Sequence, residues 1–150
     1  MADGIQFGQV NLIASNLDAT LAFYRLLGLD VPHDAGPPHV SIGFPSGFQL
    51  DIDTADFVPD WDSGWRGATG GSTVLGFNVA TREEVNELYG RLVDASYVAR
   101  QPPFDTFFGA RYAIVDDPDG NGVGIMSPID VDRKFWPPAR PPAASARAPQ

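Results

Sequence analysis

Cysteine is absent from the 150 residues, which excludes disulfides, thiolate metal sites and a cysteine nucleophile. Histidine occurs twice, as His33 and His39, and neither has a second histidine at metal-ligand spacing. A solvent-exposed or hydrogen-bonded imidazole is the expectation for each. Basic residues are outnumbered, 10 against 19 acidic, for a net charge of -9. That balance argues against nucleic acid or an anionic membrane as partner. It favours a cationic ligand, although solubility alone also accounts for it. No apolar run approaches a membrane span and no basic-plus-apolar leader opens the chain, so a cytoplasmic protein is expected. Also missing are a Gly-x-Ser-x-Gly elbow, a phosphate-binding glycine loop and a dinucleotide fingerprint. No nucleophile–base–orienter set stands in their place.

What is present suits one domain with a real core, since 43% of the residues are hydrophobic, an ordinary share for a globular protein. Residues 6–14 alternate, with Val10, Leu12 and Ala14 on one face of a half-buried strand and Gln9, Asn11 and Ile13 on the other. Ser15-Asn16 offer an N-cap to a helix through Leu17, Leu21, Tyr24 and Leu27, and Gly28 is its stop. Residues 29–32 read as a short edge segment, because Pro32 cannot donate to a ladder. Residues 39–44 and 48–53 form two strands across the turn Pro45-Ser46-Gly47. Residues 54–71 are a long loop of the kind that is often functional.

The order then begins again. Residues 72–80 form a strand, and Thr81-Arg82-Glu83-Glu84 is a capping box before a helix with Val85, Leu88, Leu92 and Ala95 on one stripe. Residues 97–100 resume extended structure, 101–109 form a second loop, and two strands flank the turn Asp117-Pro118-Asp119-Gly120-Asn121. That turn is specified by residues that bond their own backbone, fix φ or accept φ > 0. The pattern is β-α-β-β-β twice, with Val10 over Leu75 and Tyr24 over Tyr89. It predicts an α+β fold: two tandem β-α-β-β-β modules, about 6–53 and 72–128, forming a curled eight-stranded mixed sheet with one helix on each half. Residues 129–150 read as a Pro/Ala-rich tail, with 130–136 packed on the surface and 137–150 disordered.

If the apolar strand faces bury against the helices, the opposite faces line any cavity. These carry Gln9, Asn11, Gln49, Asp51 and Asp53 in the first half, and Gly76, Asn78, Gly122, Gly124 and Met126 in the second. The first side is acidic; the second is open and glycine-lined. Asp51 and Asp53, two apart on one strand face, are either a cation contact or a solvated face. The strand glycines admit either a closely approaching ligand or tight packing by a side chain. Loop aromatics Trp61, Trp65, Phe104, Phe107 and Phe108, with Trp136 of the tail, either stack on a flat or cationic ligand or cap edges and an interface. Arg111 faces the pocket mouth or pairs with a carboxylate.

Three motifs together resemble the vicinal oxygen chelate superfamily, which includes glyoxalase I, extradiol dioxygenases, fosfomycin-modifying enzymes and bleomycin-type resistance proteins. The first runs from Val10-Asn11-Leu12 to Leu17-Asp18 and on to Phe23-Tyr24 and Leu27-Gly28. The second is Phe108-Gly109-Ala110-Arg111-Tyr112. The third is the turn 117–121 with its following strand. The resemblance covers residues 6–128 and implies a fold with a concave ligand face. Its enzymes typically hold a divalent metal there, through His, Glu or Gln at four equivalent places. Those places fall here at Gln9, Asp51, Val74 and Gly124, two of which have no ligand atom to offer. The expectation is therefore a metal-free, cofactor-free homodimer of the bleomycin-resistance type that sequesters a cationic or aromatic small molecule. The alternative is a diverged glyoxalase- or dioxygenase-like enzyme with an unusual or absent metal site. The ligand residues expected are Gln9, Asn11, Gln49, Asp51, Asp53, Trp61, Trp65, Phe104, Phe107, Phe108, Arg111, Gly124 and Met126.

Overall fold

The computed structural model describes residues 6–71, 73–139 and 141–143. It divides into two compact units, Met1–Gly70 and Gly71–Gln150, one for each repeat.

In the first unit, strand β1 (Gln9–Ala14) leads to helix α1 (Leu17–Leu27), then to strands β2 (His39–Gly43) and β3 (Gln49–Thr54). Helix α1 begins where the Asn16 side chain accepts from the Ala19 backbone N–H, and it ends at Gly28 with φ +112°. An asparagine oxygen satisfies an orphan donor, and a left-handed stop falls on glycine, as capping chemistry requires. The strands are ordered β1-β3-β2. β1 runs parallel to β3 with Asn11 beside Asp51, and β2 runs antiparallel with His39 beside Asp53. Leu12, Ala14, Val40, Ile42, Leu50 and Ile52 are buried, as are Leu17, Leu21, Phe23, Tyr24 and Leu27 of the helix. A 3-10 turn, Val58–Asp60, follows β3 and buries Val58.

In the second unit, β4 (Val74–Asn78), α2 (Arg82–Asp94), β5 (Ala99–Asp105), β6 (Arg111–Asp116) and β7 (Gly122–Met126) repeat the order, with strands arranged β4-β7-β6-β5. The capping box forms: Glu84 N–H donates to Thr81 Oγ1 at 3.1 Å, and Ala80 N–H donates to Glu84 Oε2 at 2.8 Å. The turn before β7 is closed by Asp117, whose Oδ1 accepts from Asp119 and Asn121 N–H, each at 2.9 Å. Gly120 holds φ +81° there.

Two expectations are corrected. The eight-stranded curled sheet is instead two mixed sheets of three and four strands, seven strands among the described residues. Residues 29–32 make no strand. The Val31 N–H turns back to Leu29 O at 3.0 Å and its side chain is buried, while Pro32 has no N–H for a ladder. The second correction concerns 101–109, expected as a loop. β5 continues to Asp105, through Pro102-Pro103. It tolerates two prolines because it is the edge strand of its sheet, and its pairing with β6 shifts register around them.

Residues 130–136 pack as expected: Asp130 N–H donates to Gly109 O and Phe135 N–H to Phe107 O, each at 2.9 Å. The disorder expected over 137–150 concerns a segment of which 140 and 144–150 lie outside the described residues. Among the described residues no helix is long and apolar enough to cross a membrane.

Candidate functional site: an acidic cavity in the first repeat

Alternation puts Gln9 and Asn11 of β1, Asp51 and Asp53 of β3 and His39 of β2 on one face of the first sheet. Phe57 and Trp61, flanking the 3-10 turn, complete a cavity of about 400 Å³ with those five residues. Trp61 is 48% exposed, and the Phe57 ring lies 6.3 Å from the His39 ring.

A continuous polar chain crosses the three strands. Gln9 Nε2 donates to Asn11 Oδ1 at 2.8 Å, and Asn11 Nδ2 donates to Asp53 Oδ2 at 2.8 Å. The other Asp53 oxygen, Oδ1, lies 2.5 Å from His39 Nδ1. Asp53 is 1% exposed, and each of its oxygens has a partner. A buried carboxylate needs such partners, because isolated burial of charge costs several kcal/mol.

Asp51 is different. It is 5% exposed, lines the same cavity, and its Oδ1 is buried without a hydrogen-bond partner. Buried polar atoms in native proteins are rarely left so, and each exception calls for an explanation. Here the cavity holds two buried carboxylates, one of them with an open acceptor.

The second repeat has filled its equivalent face along β7 with its own side chains. A Cβ built on Gly124 would stand 2.5 Å from Tyr112 Oη, and one on Gly122 would stand 2.5 Å from Arg100 Nη1. The open, glycine-lined surface expected there is therefore corrected at two positions, where Gly124 and Gly122 make room for Tyr112 and Arg100, whereas a Cβ on Gly76 would meet nothing within 4 Å. Burial pushes the Tyr112 phenol up, and the Arg100 charge offsets this only in part, so the phenol is held as a neutral hydroxyl. Arg100 Nε lies 2.6 Å from Asp116 Oδ1, a close ionic contact without hydrogen-bond alignment, and Nη2 donates to Gly120 O at 3.0 Å.

Of the residues expected to bind ligand, the cavity gathers Gln9, Asn11, Asp51, Asp53 and Trp61. Gln49 is exposed beside it, and Trp65 turns into its own loop, donating from Nε1 to Ala68 O at 3.2 Å. The others belong to the second unit and have partners there. Phe104 meets the Tyr112 ring edge-on at 6.4 Å, and Phe107 meets Phe108 and Trp136 at 5.3 and 5.8 Å. Met126 pairs with Tyr112 and Asn78 across the sheet, and Gly124 with Ile114 and Gly76. Arg111 pairs with a carboxylate, its Nη1 3.2 Å from Asp105 Oδ1, and it also donates from Nε to Asn86 Oδ1 at 3.0 Å. Arg82 makes a second ion pair to the same Asp105 oxygen. Burial acts to raise the Asp105 carboxyl, but the Arg111 hydrogen bond and the charges of Arg82 and Arg111 together outweigh it and hold the group below its ordinary value.

Two cavity residues, His39 and Phe57, were not foreseen as binding residues. For His39 a signal existed in the hairpin: pairing back from the turn at Pro45-Ser46-Gly47 sets His39 opposite Asp53.

The four metal-bearing places of the resemblance do not fit a divalent ion. Val74 has no donor atom, and the Gly124 place is filled by Tyr112. Among the described residues no three His, Asp or Glu side chains come together as ligands, where a metal needs three or four donors in fixed geometry.

Comparison with known proteins places the fold. The pattern of the Glyoxalase/Bleomycin resistance protein/Dioxygenase superfamily matches residues 6–125. The chain belongs to this superfamily. No curated protein matches it. Among solved structures it is similar to a glyoxalase-related enzyme from Fulvimarina pelagi, at 27% identity and a TM-score of 0.72, over 82% of this chain and 88% of that one. It is also similar to protein ATC0852 from Agrobacterium tumefaciens, at 28% identity and a TM-score of 0.60, over 79% and 93%. A lactoylglutathione lyase from Agrobacterium tumefaciens, 21% identical with a TM-score of 0.63 over 84% and 96%, shares the fold. The superfamily spans lyases, resistance proteins and dioxygenases alike, so membership leaves the activity to the site.

Proposed function

We propose that the first-repeat cavity binds a small cationic molecule with N–H donors and a flat or aromatic body, and that the protein acts as a metal-free binding protein of the bleomycin-resistance type, as a homodimer. The observation that carries this reading is the buried Asp51, whose Oδ1 has no hydrogen-bond partner, among the residues that line a cavity also holding Asp53. An ammonium, amidinium or guanidinium group supplies both the missing donor and the missing positive charge. Phe57 and Trp61 offer faces for the ligand body and for cation–π contact. The net charge of -9 draws cations towards the protein.

Thermal unfolding with benzamidine, and with its neutral isostere benzamide, tests the reading. A ligand for the native state raises the melting temperature, by more the tighter it binds at a given concentration. Benzamidine should stabilise the protein, benzamide should not, and Asp51→Asn should abolish the difference. Equal responses to the two compounds, or the same benzamidine response in the variant, would overturn the cation reading. Bleomycin in the same assay tests the resistance-type ligand, and sedimentation velocity tests the dimer.

A further inference from the structure

The same cavity contains a feature that binding alone does not use. Asp53 is fully buried and engages His39 through Nδ1 at 2.5 Å, while Asn11 holds its other oxygen at 2.8 Å. Asn11 is in turn oriented by Gln9. A carboxylate that accepts at Nδ1 fixes the imidazole as the Nδ1–H tautomer and leaves the Nε2 lone pair free. The His39 side chain is 42% exposed and lines the cavity, so the ring is reachable. Asp53 is 1% exposed and has a partner on each oxygen, so it acts first on Asn11 and His39. His39 is thus held by a buried orienting group, in a cavity that Asp51, Phe57 and Trp61 also line.

We propose that His39 is a proton acceptor for the molecule bound in this cavity, with Asp53 as its positioning residue. This rests on the cavity being a ligand site. Its substrate class is a carbon acid carrying a cationic group. Asp51 holds the cationic end and His39 Nε2 takes the proton from the activated C–H. The C–H electron pair stays on the substrate, and the imidazolium, paired with Asp53, returns the proton to the same or an adjacent atom. The net reaction is an isomerisation or racemisation, with no change of oxidation level and no metal in the step.

A nitro-substituted benzisoxazole is a suitable probe because its cleavage needs only a base. The base removes the ring C–H proton, the freed pair becomes the third bond of a nitrile, the N–O bond breaks, and the oxygen leaves as a coloured phenolate. Wild-type protein should turn the probe over with saturation, and His39→Gln should lower the rate about 100-fold, the scale of general-base catalysis. Asp53→Asn should lower the rate as well, and nitrogen NMR should show the Nδ1–H preference of His39 lost in that variant. His39 is at the surface of a hairpin end, so His39→Gln should fold, as circular dichroism would confirm. A wild-type rate no greater than buffer, or one unchanged in His39→Gln, would overturn the proposal. Benzamidine binding is measured on the same proteins. Binding retained in His39→Gln without probe turnover in wild type sinks the base alone, whereas His39-dependent turnover without benzamidine binding sinks the cation reading and leaves the base standing.

Discussion

Tyr112 lies over Gly124, its phenol oxygen occupying the space where a Cβ on residue 124 would stand, 2.5 Å away. The two residues are diagonal neighbours on adjacent strands: Tyr112 pairs with Met126, and Gly124 pairs with Ile114. Diagonal neighbours on one sheet face are within reach of a long aromatic side chain. Gly124→Ala should therefore destabilise the protein by about 1–3 kcal/mol, the usual cost of overpacking. Tyr112→Ala in the same chain should recover part of that loss, and a double-mutant cycle by urea unfolding would measure the coupling. Additive effects would show that the ring moves aside freely.

Asp51→Asn should make the protein more stable while removing its response to cations. The substitution keeps the shape and deletes a buried charge that has no partner for Oδ1. Relief of an uncompensated buried charge is worth about 1 kcal/mol or more. Urea unfolding without ligand should move its midpoint upward. A lower midpoint would show that Asp51 is satisfied by some group of the native protein.

Asp53→Asn should do the opposite. Its two oxygens serve Asn11 and His39, and an amide can accept through only one of its two atoms. One donor would face another in a buried place, at a cost of about 1–3 kcal/mol. Unfolding midpoints of the Asp51 and Asp53 variants, compared side by side, should therefore move in opposite directions.

Acid should weaken the second repeat through Asp105. Burial raises this carboxyl, but Arg111 and Arg82 outweigh burial and hold it below its ordinary value of 3.8. A carboxyl depressed in the folded state contributes stability above its unfolded value and loses it as pH falls through the folded value. The Asp105 side chain is 57% exposed, so the contribution is at most about 1 kcal/mol. Melting temperatures should fall less steeply below pH ~4 in Asp105→Asn than in the wild type.

Gly109→Ala should be more damaging than Gly124→Ala. Gly109 holds φ +93°, and an added Cβ would meet the Asp130 carbonyl oxygen at 2.2 Å. Backbone cannot swing away as a side chain can, and the same carbonyl region is tied back by the Asp130 N–H bond to Gly109 O at 2.9 Å. A loss of about 2 kcal/mol or more is expected, combining a left-handed strain with a steric clash. Release of residues 130–136 would be read by hydrogen exchange.

Local chemistry made much of this fold legible in advance. Asn16, Gly28, Thr81 and the turn 117–121 each act through the few backbone groups beside them, and all adopt the roles their residue types dictate. Alternation likewise placed Gln9, Asn11, Asp51 and Asp53 on one face. The failures arose where a distant partner decides. Val31 found a place in the core and Pro32 removed a donor, so the expected edge strand never paired. Pro102 and Pro103 entered a strand because nothing lies on the outer side of β5 in its sheet. His39 is part-exposed and hydrogen-bonded, as expected, but its place in the cavity depends on a partner that stands across the hairpin. The filling of the Gly124 face by Tyr112 depends on where one ring points, which alternation cannot express.

The chain of bonds from Gln9 through Asn11 and Asp53 to His39 spans all three strands of the first sheet. Sliding β1 or β2 by one residue against β3 would turn alternate side chains to the other face, and buried Asp53 would lose Asn11 or His39 as a partner. The polar lining of this cavity thus also proofreads strand alignment. Any attempt to redesign its specificity by replacing these polar residues with apolar ones would remove, along with the recognition chemistry, the penalty that keeps the sheet from assembling one step out of phase.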